Sequence, residues 1–136
     1  MTSVVDASVA LKWVLPEHGQ AAARRLLDSG DDLSAPELLL LEAANALIRH
    51  VRLRSISRIE AASAYRTIDV IFHAPQASEP LIPSAFRLAL ELEHPLYDCI
   101  YLALAVETKA KLITADGKFV TACQRGGYGG HVSLLH

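Results

Sequence analysis

The sequence predicts a single α/β domain built on a mostly parallel sheet covered by helices on both faces. Three observations carry this. The chain has 136 residues, the size of one compact domain. Segments with helical apolar spacing alternate with short aliphatic strand-like runs. No Asn-Gly type turn separates paired alternating runs, so neighbouring strands are joined by helical crossovers, as parallel strands require. With 51% hydrophobic residues and a mean hydropathy of +0.26, the chain can bury a core. That excludes a disordered segment, a fibrous repeat or a scaffold dependent on disulfide staples. No internal repeat or low-complexity stretch interrupts it.

The elements follow in order. Val4 and Val5 are β-branched and run into Asp6, a brief buried strand ending at an acid. A helix from Ser8 and Val9 reaches Leu15 and stops at Pro16; a second covers Glu17 to Leu27, ended by Ser29-Gly30-Asp31-Asp32. Leu33 to Ala35 is a short second strand, and Pro36 suits the first turn of a helix from Glu37 to Arg52. The consecutive leucines 38 to 41 cover most of that helix's circumference, so it is surrounded by protein or meets a partner. Ser57-Arg58-Ile59-Glu60 is a capping box that starts a helix reaching Ile68, while Asp69 to Phe72 suits either more helix or a strand. The three prolines between Ala74 and Pro83 mark a connection, followed by a helix from Ser84 to Leu92. After the His94-Pro95 break, Tyr97 to Lys109 is a helix apolar on most faces. Lys111 to Thr114 is a strand, Lys118 to Gln124 a helix, and Val132 to Leu135 a last strand.

Thirteen Lys and Arg against fifteen Asp and Glu give a net charge of -2, with a pI near 6.3. Taken whole, that balance argues against a phosphate-rich partner. The two cysteines, Cys99 and Cys123, sit in apolar contexts and suit a reducing compartment. The longest apolar run, Cys99 to Val106, is far short of a membrane span, and the N-terminus lacks a basic-then-apolar leader. The expected location is the cytoplasm.

Four carboxylates stand in surroundings too apolar for casual surface charge: Asp6 after Val4-Val5, Glu42 among leucines, Asp98 inside Leu96 to Leu102, and Asp116 after Leu112-Ile113-Thr114-Ala115. Each has a plain structural reading. Asp6 and Asp116 at strand ends suit helix N-caps; Asp98 near a helix start suits the macrodipole; Glu42, Asn45 and Arg49 share one helix face that suits solvent. Taken jointly they suggest more. In an open parallel sheet, strand C-termini and helix N-termini converge on the edge where ligands bind. Carboxylates gathered there repel unless a cation neutralises them, and a set of hard oxygens points to Mg²⁺ or Mn²⁺. The six histidines lack ligand spacing and are expected to be surface or structural.

Four blocks, each centred on one of these acids, resemble the signature blocks of PIN-domain ribonucleases: residues 4–13, 35–47, 97–105 and 112–116. The acids are separated by 36, 56 and 18 residues, and the likeness spans nearly the whole chain. More narrowly, the chain resembles VapC-type toxins of toxin–antitoxin pairs. The resemblance implies one PIN-like domain over residues 1–136, an α/β/α sandwich. It implies a Mg²⁺-dependent endoribonuclease, Mn²⁺ serving also, with Asp6, Glu42, Asp98 and Asp116 as the catalytic, metal-holding acids. Ser8, Asn45 and Thr114 match polar positions beside that site, orienting ligands or water. It also implies a homodimer and a VapB-type antitoxin whose C-terminal segment lies in a groove of the toxin.

From Ala43 to Ile59 there is no acid, yet Arg49, His50, Arg52, Arg54 and Arg58 occur. This suits a solvated helix end, a contact to RNA, or a dock for an acidic antitoxin segment. Trp13 is expected in the core. Two rival readings fit less well. A metal-dependent phosphatase would carry a second acid two residues after Asp6, where Ser8 stands. A receiver-like signalling module would carry adjacent acids at the first strand end, where Asp6 is single. With the four acids assigned to metal, eleven acids face thirteen bases. The net charge then averages an acidic centre with a mildly basic remainder and does not exclude RNA.

Overall fold

The structure, a computed structural model, describes residues 2–136. Four parallel strands form the sheet: β1 (Thr2–Val5), β2 (Asp32–Ser34), β3 (Lys111–Thr114) and β4 (Val132–Leu134). Their order is β2-β1-β3-β4. Val4 lies opposite Ser34 on one side and Leu112 on the other, and Thr114 lies opposite Leu134. Successive strand residues point to opposite faces, and both Val4 and Val5 are fully buried, so the sheet is covered on both sides. The expected architecture is present, and all of the sheet is parallel.

Among the described residues, seven α-helices surround it: α1 (Ala7–Val14), α2 (Gln20–Asp28), α3 (Leu38–Arg52), α4 (Arg58–Ile71), α5 (Ile82–Leu92), α6 (Leu96–Thr108) and α7 (Gly117–Arg125). Helix α6 lies against β1 and β3 and pairs with α5, while α1 packs on α2 and α3, and α3 on α4. Cys99 to Ala105 of α6 are buried without a break, which is why that helix reads as apolar on every side. Trp13 is in the core as expected: it stacks on Phe72 at 5.8 Å and donates its Nε1–H to the Ala23 carbonyl at 2.8 Å. Cys99 and Cys123 are buried free thiols, pushed up by burial to about 11 and about 12, so both stay protonated and inert. Among the described residues, no helix is long and apolar enough to cross a membrane.

Several boundaries differ from expectation, each for a local reason. α2 starts at Gln20 instead of Glu17 because Gly19 holds the left-handed region, with φ of 89°. α3 starts after Glu37, where Ser78 Oγ accepts from the Leu38 N–H and caps the helix from a distant segment. That segment is not a free connection: Gln76 bridges to Pro36, and a 3-10 turn at Glu79–Leu81 leads into α5. The capping box is formed, with Ser57 and Glu60 bonding each other's backbone N–H, and residues 69–71 continue α4 as helix. The leucine run is sorted by depth: Leu39 is fully buried and Leu41 is 71% exposed. Lys109, with φ of 57°, caps α6 and lies outside it.

β1 connects to β2 on one side, while β3 lies on its other side. The connections leaving β1 and β3 therefore diverge, opening a crevice beyond their carboxyl ends. Asp6 directly follows β1, and Asp116 follows β3 by two residues.

Candidate active site

Both strand-end aspartates cap helices, as their plain reading expects. Asp6 caps α1 by accepting from the Val9 N–H at 3.2 Å, and Asp116 caps α7 by accepting from Lys118 and Phe119 N–H groups at 3.0 and 3.2 Å. Capping does not exhaust them. A cleft of ≈ 330 Å³ opens beside them, and Asp6, Glu42, Asp98 and Asp116 all line it. Ser8, Asn45 and Arg49 line it too, so the face shared by Glu42, Asn45 and Arg49 looks into this cleft.

Asp6 is held from both sides. Ser8 Oγ donates to its Oδ1 at 2.6 Å and Thr114 Oγ1 donates to its Oδ2 at 2.5 Å. Each hydroxyl, having given its hydrogen, accepts from the β3–α7 turn. The Ala115 N–H bonds Ser8 Oγ at 3.2 Å, and the Asp116 N–H bonds Thr114 Oγ1 at 3.1 Å. Two relays thus tie the end of β1 to the end of β3 and orient the carboxylate between them. Thr114 is fully buried behind Asp6. A carboxylate has about four acceptor positions; among the described residues three are used here, which leaves one on Oδ2.

Glu42 reaches the cleft from α3 and accepts from the Tyr101 hydroxyl of α6 at 2.5 Å. Asp98 lies in the first turn of α6, and its Oδ2 is 2.6 Å from His94 Nε2. Sequence reasoning missed both Tyr101 and His94. His94, expected to be surface or structural, stands at the site itself: one ligand atom each from His94, Asp98 and Asp116 lie within 4.8 Å of one another. The i, i+4 spacing of His94 and Asp98 was the available signal, hidden by the Pro95 break between them. Tyr101 reads as a core aromatic, and its body is one; only its hydroxyl reaches the site.

The electrostatics are those of partly buried acids crowded together. Burial pushes the Asp6 carboxyl above its ordinary 3.8; the bonds from Ser8, Thr114 and Val9 pull it back, and the Asp98 charge adds to the rise. Glu42 is likewise raised above its ordinary 4.5, first by burial, with Tyr101 opposing and the charges of Asp98 and Asp6 adding. Burial pushes the Tyr101 phenol up, with the charge and hydrogen bond of Glu42 adding to the rise, so it remains a donor. Among the described residues, no Lys or Arg is ion-paired with any of the four acids. Four carboxylates sharing one cleft, with Arg49 at its wall but paired to none of them, form a hard-oxygen donor set that suits Mg²⁺ or Mn²⁺.

The arginine stripe does not form one surface. Arg49 lines the acidic cleft, whereas Arg52 and Arg58 flank an apolar groove of ≈ 550 Å³ between α3 and α4. Arg54 sits in the turn after α3 with φ of 60°.

A family model described as PIN domain matches residues 3–124. Among curated relatives, Ribonuclease VapC3 of Pyrobaculum aerophilum is 31% identical over 118 residues, covering 85% of this chain and 90% of the relative. Ribonuclease VapC1 of Mycobacterium tuberculosis is 29% identical over 121 residues, covering 88% of this chain and 89% of the relative. A crystal structure of PAE2754 from Pyrobaculum aerophilum shares the fold with a TM-score of 0.70 at 23% identity, covering 99% of this chain and 84% of that one.

Proposed function

This chain belongs to the PIN domain family, and from that premise we propose that it is a divalent-metal-dependent endoribonuclease, the toxin of a toxin–antitoxin pair. The observation that carries the reading is the cleft lined by Asp6, Glu42, Asp98 and Asp116 with no Lys or Arg ion-paired to them among the described residues. The names of the two ribonuclease relatives support RNA as the substrate.

The four acids are the catalytic residues and would hold Mg²⁺, or Mn²⁺ in its place. When bound, the divalent ion lowers the pKa of a coordinated water and offsets charge developing on the scissile phosphate. Ser8 and Thr114 keep the Asp6 carboxylate in one orientation, and Tyr101 does the same for Glu42. Asn45 adds a polar group at the same wall. Arg49, at the cleft wall beside the acids, is the side chain suited to an RNA phosphate. The water oxygen joins phosphorus as the bond to the 3′-oxygen breaks; the water's proton goes to that oxygen, leaving 5′-phosphate and 3′-hydroxyl ends.

Arg52, Arg54 and Arg58 contact the RNA or an acidic stretch of a VapB-type antitoxin. The apolar α3–α4 groove, with Ile48, Val51 and Tyr65 between Arg52 and Arg58, suits an antitoxin segment. The protein works in the cytoplasm as a homodimer.

Purified protein should cut RNA with Mg²⁺ or Mn²⁺, stop when EDTA is added, and resume when the ion is restored. Cleavage that continues unchanged in EDTA would overturn the reading. Arg49→Glu should raise KM for RNA about tenfold, equivalent to about 1.4 kcal/mol. Steady-state kinetics on one oligonucleotide at fixed salt will measure it, and an unchanged KM removes Arg49 from the RNA path.

A further inference from the structure

Hydroxyls orient Asp6 and Glu42, two for the first, from Ser8 and Thr114, and one for the second, from Tyr101. Asp98 has His94. We propose that His94 is the positioning residue of the metal-holding set: it acts through Asp98 without itself binding the ion. The inference rests on the metal-dependent reading above and goes beyond it by assigning a residue outside the four acids.

The geometry is specific. His94 Nε2 lies 2.6 Å from Asp98 Oδ2. That bond turns Nε2 toward the Asp98 carboxyl and engages it there, so the ring nitrogen nearest the acids is taken up by Asp98. The bond occupies one oxygen of Asp98 and leaves its other oxygen without this donor. The ring is also fixed from a second direction, packed at a tilt of 40° against the Phe119 ring with centroids 4.5 Å apart. Phe119 belongs to the first turn of α7, and its N–H bonds Asp116. A single imidazole therefore links the acid at the start of α6 to the turn that carries the acid at the start of α7. This explains why candidate ligand atoms of His94, Asp98 and Asp116 draw within 4.8 Å of one another. The backbone holds the ring's origin as well: the His94 N–H bonds the Ala89 carbonyl at the end of α5. The His94 side chain is mostly covered, so its orientation is set by the fold and not by solvent.

The test compares Mn²⁺ binding to wild type, His94→Phe and His94→Gln by calorimetry, with melting of the metal-free proteins as a fold control. Phe keeps a ring for Phe119 and loses the donor. Gln places an N–H donor the same number of bonds from the backbone as Nε2. The expected result is a Kd for Mn²⁺ raised about 10- to 100-fold in the Phe variant, largely restored by Gln, with the metal-free melting points of Gln and wild type alike. Electron spin-echo spectra of Mn²⁺ bound to the wild type should show no directly coordinated nitrogen. A Phe variant that binds Mn²⁺ as tightly as wild type overturns the proposal, as does equal loss in both variants or a directly bound nitrogen. If the wild type itself takes up no Mn²⁺, the functional reading fails first, which separates the two failures.

Discussion

Asp98→Asn should abolish metal-dependent RNA cleavage, lowering kcat/KM by about a thousandfold or more, while the protein stays folded. The large effect follows from what the substitution removes. Asn keeps the shape of the side chain and an oxygen that accepts from His94, but it takes one negative charge out of a four-acid cleft. Charge stabilisation by a bound divalent ion is worth several kcal/mol in the transition state, and each 1.36 kcal/mol is about tenfold in rate. The structural cost is small by comparison. Asp98 is in the first turn of α6, where a carboxylate contributes about 0.3–1 kcal/mol through the helix dipole. Circular dichroism and urea unfolding should therefore report a folded protein, and single-turnover cleavage should report an inactive one. Full activity in this variant would sink the assignment.

The second large effect concerns stability. Asp6 and Glu42 both have carboxyls raised above their ordinary 3.8 and 4.5 when the protein is folded. Between the unfolded and folded values the native state holds more protons than the unfolded chain, so stability falls as pH rises through that window. The penalty is absent below the unfolded values and complete above the folded ones, at about 1.4 kcal/mol for each unit of elevation. In EDTA, the stability of an Asp6→Asn, Glu42→Gln variant relative to wild type should rise from acid toward neutral pH. The hydrogen bonds Asn and Gln lose shift that difference by a constant and leave its slope. Saturating Mn²⁺ should then stabilise wild type at neutral pH, by about 2.7 kcal/mol at a hundred times Kd, and the variant far less. Urea titrations across pH, with and without the ion, will measure both. A difference independent of pH would contradict the burial argument.

The sheet and most helices were legible because their signals are local. Strand β3 coincides with the expected Lys111 to Thr114, and α4 begins at the capping box that Ser57 and Glu60 announce. Boundaries were lost where a distant residue decides them, as at α3, whose cap is Ser78, forty residues away. The four acids were visible as charges in apolar surroundings, and one cleft brings them together. Their supports were visible only in part. Ser8 and Thr114 lie two residues from an acid in sequence, and both bond Asp6. Tyr101 serves Glu42 across 59 residues, and no pattern along the chain encodes that pairing. The arginines appeared as one stripe because sequence order ignores helix rotation; three residues after Arg49, Arg52 has turned from the acidic cleft to the apolar groove. The net charge of -2 likewise hid an acidic centre within a mildly basic remainder.

The central claim is that the acids at the ends of β1 and β3, with Glu42 and Asp98, cut RNA. Mapping 5′-monophosphate ends in total RNA after brief induction of the wild type, beside Asp98→Asn at equal abundance, tests it most directly. New ends at defined sites are expected in the wild type and none in the variant; the same ends in both, or no new ends in either, would overturn the assignment.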